Sequence, residues 1–217
     1  MVQLPRPRPS RIALDGGYCQ LEPLAPAHAT ALYESCRAPG LYDWLPDAPP
    51  ADASAMDAWV AKAMAGNDPL FFAVVDRASS KAVGRQALMR ITPEHGVIEI
   101  GNICWGAGAA RTRIATEALF LFARHAFDEL GYRRFEWKCN NLNAPSKAAA
   151  LRFGFSYEGL FRQHMWVKGA NRDTAWFSIV DVEWPGLRAE YERWLAPGNF
   201  DAQGRQKTRL DARQRQA

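Results

Sequence analysis

Residues 97–131 read VIEIGNICWGAGAARTRIATEALFLFARHAFDELG, and this stretch decides the fold. Val97–Trp105 is an apolar run of strand length, interrupted by Glu99 and by the pair Gly101-Asn102. Residues 106–110 are all glycine or alanine. From Ile114 onward apolar residues recur every four positions (Ile114, Ala118, Phe122, Ala126), supported by Leu119 and Leu130, until Gly131 stops the pattern. A strand that passes through small residues directly into a helix leaves the first helical N–H groups without intrahelical acceptors. Those amides, the helix dipole and the adjacent Arg111 and Arg113 form an anion site, for which a pyrophosphate is the natural guest. A flexible turn with two solvated arginines would contain the same residues, so the loop alone leaves both readings open.

Working outward, the upstream chain predicts a strand at 18–22 and a helix opened by Pro26, with Ala29, Leu32 and Tyr33 on one face. Residues 39–50, PGLYDWLPDAPP, are too punctuated by proline and glycine for a regular element. A second helix is expected at 53–64, then strands at 70–75 and 83–91. The short polar turns between these strands and Val97 favour an antiparallel meander. Downstream, 134–139 reads as a strand, 143–153 as a short helix ended by Gly154, 158–167 and 174–182 as two strands, and Trp184–Leu195 as a closing helix. The class is mixed α/β: a mostly antiparallel central sheet flanked by helices, in a single domain over 12–196. Residues 1–11 are a basic Pro/Arg leader, and 197–217 a basic, flexible tail.

With 217 residues and 48% apolar side chains, the chain can bury one sizeable core, which excludes wholesale disorder and fibrous classes. The formal net charge of +4 invites a nucleic-acid partner, but its placement argues against one. The leader and the tail each carry +3, so residues 12–196 carry −2. The four cysteines (Cys19, Cys36, Cys104, Cys139) form no CxxC pair, and the four histidines are dispersed, so neither a disulfide framework nor a metal site is expected. No apolar run approaches the roughly 20 residues of a membrane span, and the leader lacks the apolar segment of a secretory signal. A cytoplasmic protein without membrane contact is the expectation.

The segment Asn140-Asn141-Leu142-Asn143-Ala144-Pro145-Ser146, followed by Leu151-Arg152-Phe153-Gly154-Phe155 and then by Glu158-Gly159, resembles the short helix and Gly-Phe ending of the GNAT superfamily of acyl-CoA-dependent N-acetyltransferases. The resemblance is strongest to the branch that acetylates N-termini of ribosomal proteins, and it spans about residues 18–185. The anion loop departs from the family pattern. Where the family has R/Q-x-x-G-x-G/A, this chain has Ala110, Arg113 and Ala115, so only Ala115 fits.

The resemblance implies acetyl-CoA as co-substrate, no metal, and direct transfer in a ternary complex to a primary amine, either a small molecule or a protein N-terminus. It implies cofactor contacts from Trp105, Arg111, Thr112, Arg113, Ile114, Ala115, Thr116, Asn140, Asn143 and Ser146. The tyrosine that many relatives use as acid is replaced by Ala150, and Ser146 is the substitute, as in the ribosomal-type branch. Glu99, the carboxylate within the apolar strand, is the candidate base. An outward-facing strand carboxylate is the bland alternative, and Glu94 and Asp43 are weaker candidates. Tyr42 and Trp44, with Leu45, are placed to wall the acceptor site opposite His164 and Trp166. Core packing of Tyr42 and Trp44 is equally compatible with the sequence. The lost glycine and tyrosine keep open a non-catalytic acyl-CoA-binding or interaction module. Monomer and homodimer are both compatible with the chain.

Overall fold

The meander expected before residue 105 is present. β3 (Leu70–Asp76), β4 (Lys81–Thr92) and β5 (Val97–Trp105) pair antiparallel in sequence order. The structure, a computed structural model, describes residues 3–38 and 40–212; Pro39 of the loop and Arg213 and Arg215 of the tail lie outside them. β5 leads through the small-residue loop into α3 (Arg113–Arg124), which returns the chain to β6 (Arg134–Asn140), parallel to β5. α4 (Ala144–Arg152) then precedes the antiparallel hairpin β7 (Ser156–Val167) and β8 (Ala170–Val180), and α5 (Trp184–Leu195) follows. On the other side, β1 (Leu14–Asp15) and β2 (Cys19–Pro23) extend the sheet, and α1 (Ala29–Cys36) and α2 (Ala53–Ala65) connect β2 to β3. The strand order is β1-β2-β3-β4-β5-β6-β8-β7.

Two apolar layers hold the helices to the sheet. Ala118, Leu119 and Phe122 of α3 pack with Tyr191 and Trp194 of α5 on one face. α1, α2 and the loop residues Tyr42 and Leu45 fill the other around Phe71 and Cys104. Each fully buried Leu or Phe contributes on the order of 2 kcal/mol. Glu117 docks α3 onto the first hairpin: its buried carboxylate accepts the backbone N–H groups of Gly17, Tyr18 and Cys19, each at 2.7 Å. No side chain fits at Gly16, because a Cβ there would run into that carboxylate.

Two features position the site. β5 and β6 pair only from Val97↔Arg134 to Ile100↔Trp137, so beyond Ile100 the strands part. At the same level β5 bulges: the register passes from Arg85↔Cys104 to Ala87↔Gly101, with Asn102 in the left-handed region at φ 50°. The result is a sheet edge inside the molecule, with backbone groups of β5 turned to a gap.

The tail is a correction. Residues 197–212 were expected to be solvated, yet Phe200 packs edge-on against Tyr18 and Trp194, and Ala212 is buried in the main core. Asn199 bonds Trp194 O through Nδ2 and accepts the Thr208 N–H through Oδ1. The leader is anchored too: Arg6 N–H bonds Pro93 O, and Arg11 reaches the carbonyls of Met64 and Gly66. Sequence reading weighed the charges of these segments and overlooked Phe200 and Leu210 as apolar anchors.

Candidate active site

Two cavities open on either side of the gap between β5 and β6. The first, about 580 Å³, is lined by Trp105, Ala110, Arg111, Thr112, Arg113, Ala115 and Thr116, opposite Pro145, Ala149, Arg152 and Phe153 of α4. Trp194, Phe200, Gly204, Arg205 and Gln206 close its outer side. Among the described residues, four arginines and no carboxylate line it. Thr112 caps α3 by accepting Ile114 N–H on its hydroxyl at 3.1 Å, which leaves the Arg113 and Ala115 amides as first-turn donors. Arg113 lies over the Tyr18 ring at 4.1 Å and near Phe200 at 5.3 Å, so its charge is held at the cleft by cation–π contact. Arg111 takes the left-handed backbone, φ 61°, that bends the loop into the helix. Arg152, bonded through Nη1 to Thr116 Oγ1 at 3.1 Å, has its basicity lowered by partial desolvation at the cleft.

Of the expected cofactor residues, Trp105, Arg111, Thr112, Arg113, Ala115 and Thr116 meet in this cleft. Ile114 does not; it borders a separate hollow beside Tyr18. Asn143 lines neither cavity. It is the N-cap of α4, and its side-chain oxygen accepts Ser146 N–H at 3.0 Å.

The second cavity, about 190 Å³, is lined by Trp44, Leu45, Met89, Arg90, Glu99, residues 100–103, Trp137, Lys138, Cys139, Asn140, Ser146, Met165, Val167 and Arg172. Ser146 and Glu99 therefore share one pocket. Ser146 Oγ accepts the Trp137 indole N–H at 3.0 Å, which fills one lone pair and leaves the hydroxyl proton to be donated. Cys139 stands on the same wall, its thiol held above its ordinary range mainly by burial.

Glu99 is only 3% exposed, so the outward-facing alternative does not hold. Arg90 Nη1 donates to both of its oxygens at 3.0 and 2.9 Å, and Lys138 Nζ lies 2.9 Å from Oε2. Lys138 also pairs with Glu136 at 2.7 Å and stands 3.8 Å over the Trp176 ring. Glu99 is the one carboxylate among the described residues of this wall; Glu94 and Asp43 do not reach it.

The acceptor wall needs correction at three residues. Tyr42 is buried in the second core, and its carbonyl accepts from Lys168 Nζ at 2.7 Å. Trp166 is 70% exposed and outside the cavity. His164 also stands outside, its Nδ1 3.0 Å from Thr174 Oγ1 and its ring between Phe161 and Trp176. In their place Met165, Val167 and Arg172 line the pocket, with Trp44 as expected. The cause is strand alternation. Opposite Arg172–Thr174 the β7 strand carries extra residues, with Gln163 at φ 48°, and the inward set is the odd-numbered one. A one-residue choice of face could not be made from the apolar pattern of 158–167.

The chain matches the family described as "Acetyltransferase (GNAT) domain" over residues 19–156. A crystal structure titled as a GCN5-related N-acetyltransferase from Brucella melitensis is 53% identical, with 96% of each chain covered and a TM-score of 0.93. A curated relative, the uncharacterized N-acetyltransferase p20 of Bacillus licheniformis, is 29% identical over 53% of this chain, and the match spans 64% of that relative's length. The structure of Mycobacterium smegmatis RimJ in complex with CoA-disulfide is 21% identical and shares the fold, with a TM-score of 0.71 over 84% of this chain and 94% of that one. Parted strands, an anion-ready loop at the helix entrance and a family match across most of the sheet lead to one conclusion: the chain belongs to the GNAT family of acetyltransferases.

Proposed function

We propose that the protein transfers an acetyl group from acetyl-CoA to a primary amine, small-molecule or protein N-terminal, by direct attack with both substrates bound. The carrying observation is the cleft lined, among the described residues, by four arginines (Arg111, Arg113, Arg152, Arg205) and no carboxylate, at the end of β5 beyond the point where it parts from β6. A coenzyme A moiety has phosphate charges for those cations and an amide-bearing arm for the strand edge. The residues fit it. When bound, acetyl-CoA supplies an activated acyl carbon and a thiolate leaving group.

The chain's own residues divide the remaining work. Amides of the parted β5 edge can donate to the oxygen where negative charge develops. Ser146, its proton freed by the Trp137 bond, is assigned the donation to the departing sulfur. Lys138, Arg90 and Arg172 disfavour a second positive charge in the acceptor pocket and so favour the neutral, nucleophilic amine. Glu99, tied to two of those cations, is assigned the amine proton through an intervening water. Asn143 supports the reaction indirectly by capping the helix that carries Ser146, and Asn140 borders the same wall.

Acetyl-CoA should raise the melting temperature of the purified protein, and the rise should shrink with added salt, because the cleft's attraction is ionic. No stabilisation at millimolar acetyl-CoA contradicts the reading.

A further inference from the structure

The second cavity contains a cation with no ion-pair partner among the described residues. Arg90 and Lys138 each pair with Glu99, and Lys138 also with Glu136. Arg172, on β8 opposite Met165, has no carboxylate within ion-pair distance among the described residues. Its Nε is buried without a hydrogen-bond partner. Burial and the like charge of Arg90 both work against this guanidinium, so the fold keeps it there at a cost. The cavity links it to the chemistry: Ser146, Glu99 and Arg172 line the same space, so hydroxyl, carboxylate and guanidinium face one ligand.

We infer that the amine acceptor carries a carboxylate and that Arg172 binds it, which makes Arg172 the residue that selects the acceptor class. This rests on the acetyl-transfer reading and narrows it. A planar guanidinium matches a carboxylate bidentately, whereas a simple alkylamine would leave its buried Nε without an acceptor. At about 190 Å³ the cavity is below the roughly 300–1,000 Å³ of usual ligand sites. It takes a small molecule or the end of a longer one, and Trp44, Leu45, Met165 and Val167 supply an apolar lining for the few carbons between amine and acid.

The carboxylate can come from a free amino acid or from an acidic residue beside a peptide N-terminus, and two arms of one binding experiment separate them. In the presence of CoA, one arm compares N-acetylglycine, N-acetyl-β-alanine and N-acetyl-γ-aminobutyrate with their primary amides. The other compares N-acetyl-aspartyl-alaninamide with N-acetyl-asparaginyl-alaninamide. In at least one arm the acid should bind about tenfold or more tightly than its amide, as a hydrogen-bonded charge pair requires. The preference should vanish in Arg172→Gln and be reduced in Arg172→Lys, which keeps charge but loses the fork. Equal binding of acids and amides in both arms overturns the inference, as does a preference that survives Arg172→Gln. Should Arg172→Gln fail to fold, the wild-type comparison with Arg172→Lys decides: an unreduced preference in the lysine variant overturns the assignment. Binding is read without turnover, so a catalytically inert protein that still prefers acids would sink the acetyl-transfer reading and leave the carboxylate site standing.

Discussion

Ser146 carries the most specific claim at the level of single residues. Its hydroxyl is oriented by accepting from Trp137, so Ser146→Ala removes a donor while leaving the cofactor cleft intact. Turnover should fall about 100-fold, in the usual range for a positioned acid, with acetyl-CoA affinity unchanged within about twofold. Stability should drop by about 1 kcal/mol, the typical value of one lost hydrogen bond. Steady-state kinetics beside a CoA titration checks the split, and unchanged turnover removes Ser146 from the acid role. His164 reports on the pocket's charge from outside it. Its imidazole is held below its ordinary 6.5 by burial first, then by Arg90, Arg172 and Lys138. Its small contribution to stability is therefore present above pH 6.5 and is lost as pH falls through the lower folded value. In Arg172→Gln the His164 midpoint, followed by NMR titration, should move up; a fixed midpoint contradicts the placement of that charge. The positions of Ser146 and Glu99 were legible in the sequence because each is chemically odd in its setting, a serine in an Asn-Ala-Pro turn and a carboxylate inside an apolar strand. Arg172 was not, because an arginine in a polar hairpin turn is indistinguishable from a solvated one until the register of β7 is known.

Among the elements, α3 does the most to connect fold and site: its first turn faces the cofactor cleft, and Glu117 one turn later fixes the β1–β2 hairpin. Glu117→Ala would leave three buried or half-buried amides without their acceptor. The expected loss is about 3 kcal/mol, which for a chain of this length lowers the melting temperature by roughly 10 °C. Because Tyr18, on that hairpin, holds Arg113 at the cleft, acetyl-CoA affinity should weaken as well. Calorimetry with and without acetyl-CoA tests both, and a variant as stable as the parent contradicts the docking role. α3 and β5 were legible, since a four-residue apolar period and a mostly apolar run of strand length are local signals. The two-residue β1 was not, because pairing Leu14 with Leu21 is a tertiary event with no periodicity of its own.

For the molecule as a whole, the charge was misplaced in the sequence reading only in its meaning. The basic ends are outside the predicted domain in sequence but not in space. Arg205 lines the cofactor cleft, Phe200 closes it, and the leader is pinned across Gly66 and Pro93. Composition registers such segments as solvated because their few apolar residues are outnumbered, whereas packing depends on where Phe200 and Ala212 land. All four cysteines are buried, so release of coenzyme A thiol can be followed against a silent background in the native protein. The most direct measurement is acceptor-dependent release of free CoA from acetyl-CoA across a panel of primary amines, paired with mass detection of the acetylated product. The expected result is stoichiometric thiol and N-acetyl product with at least one acceptor, both abolished together when the acceptor amine is blocked. Saturable CoA binding with no thiol release from any amine would contradict acetyl transfer and leave a binding module on the same fold.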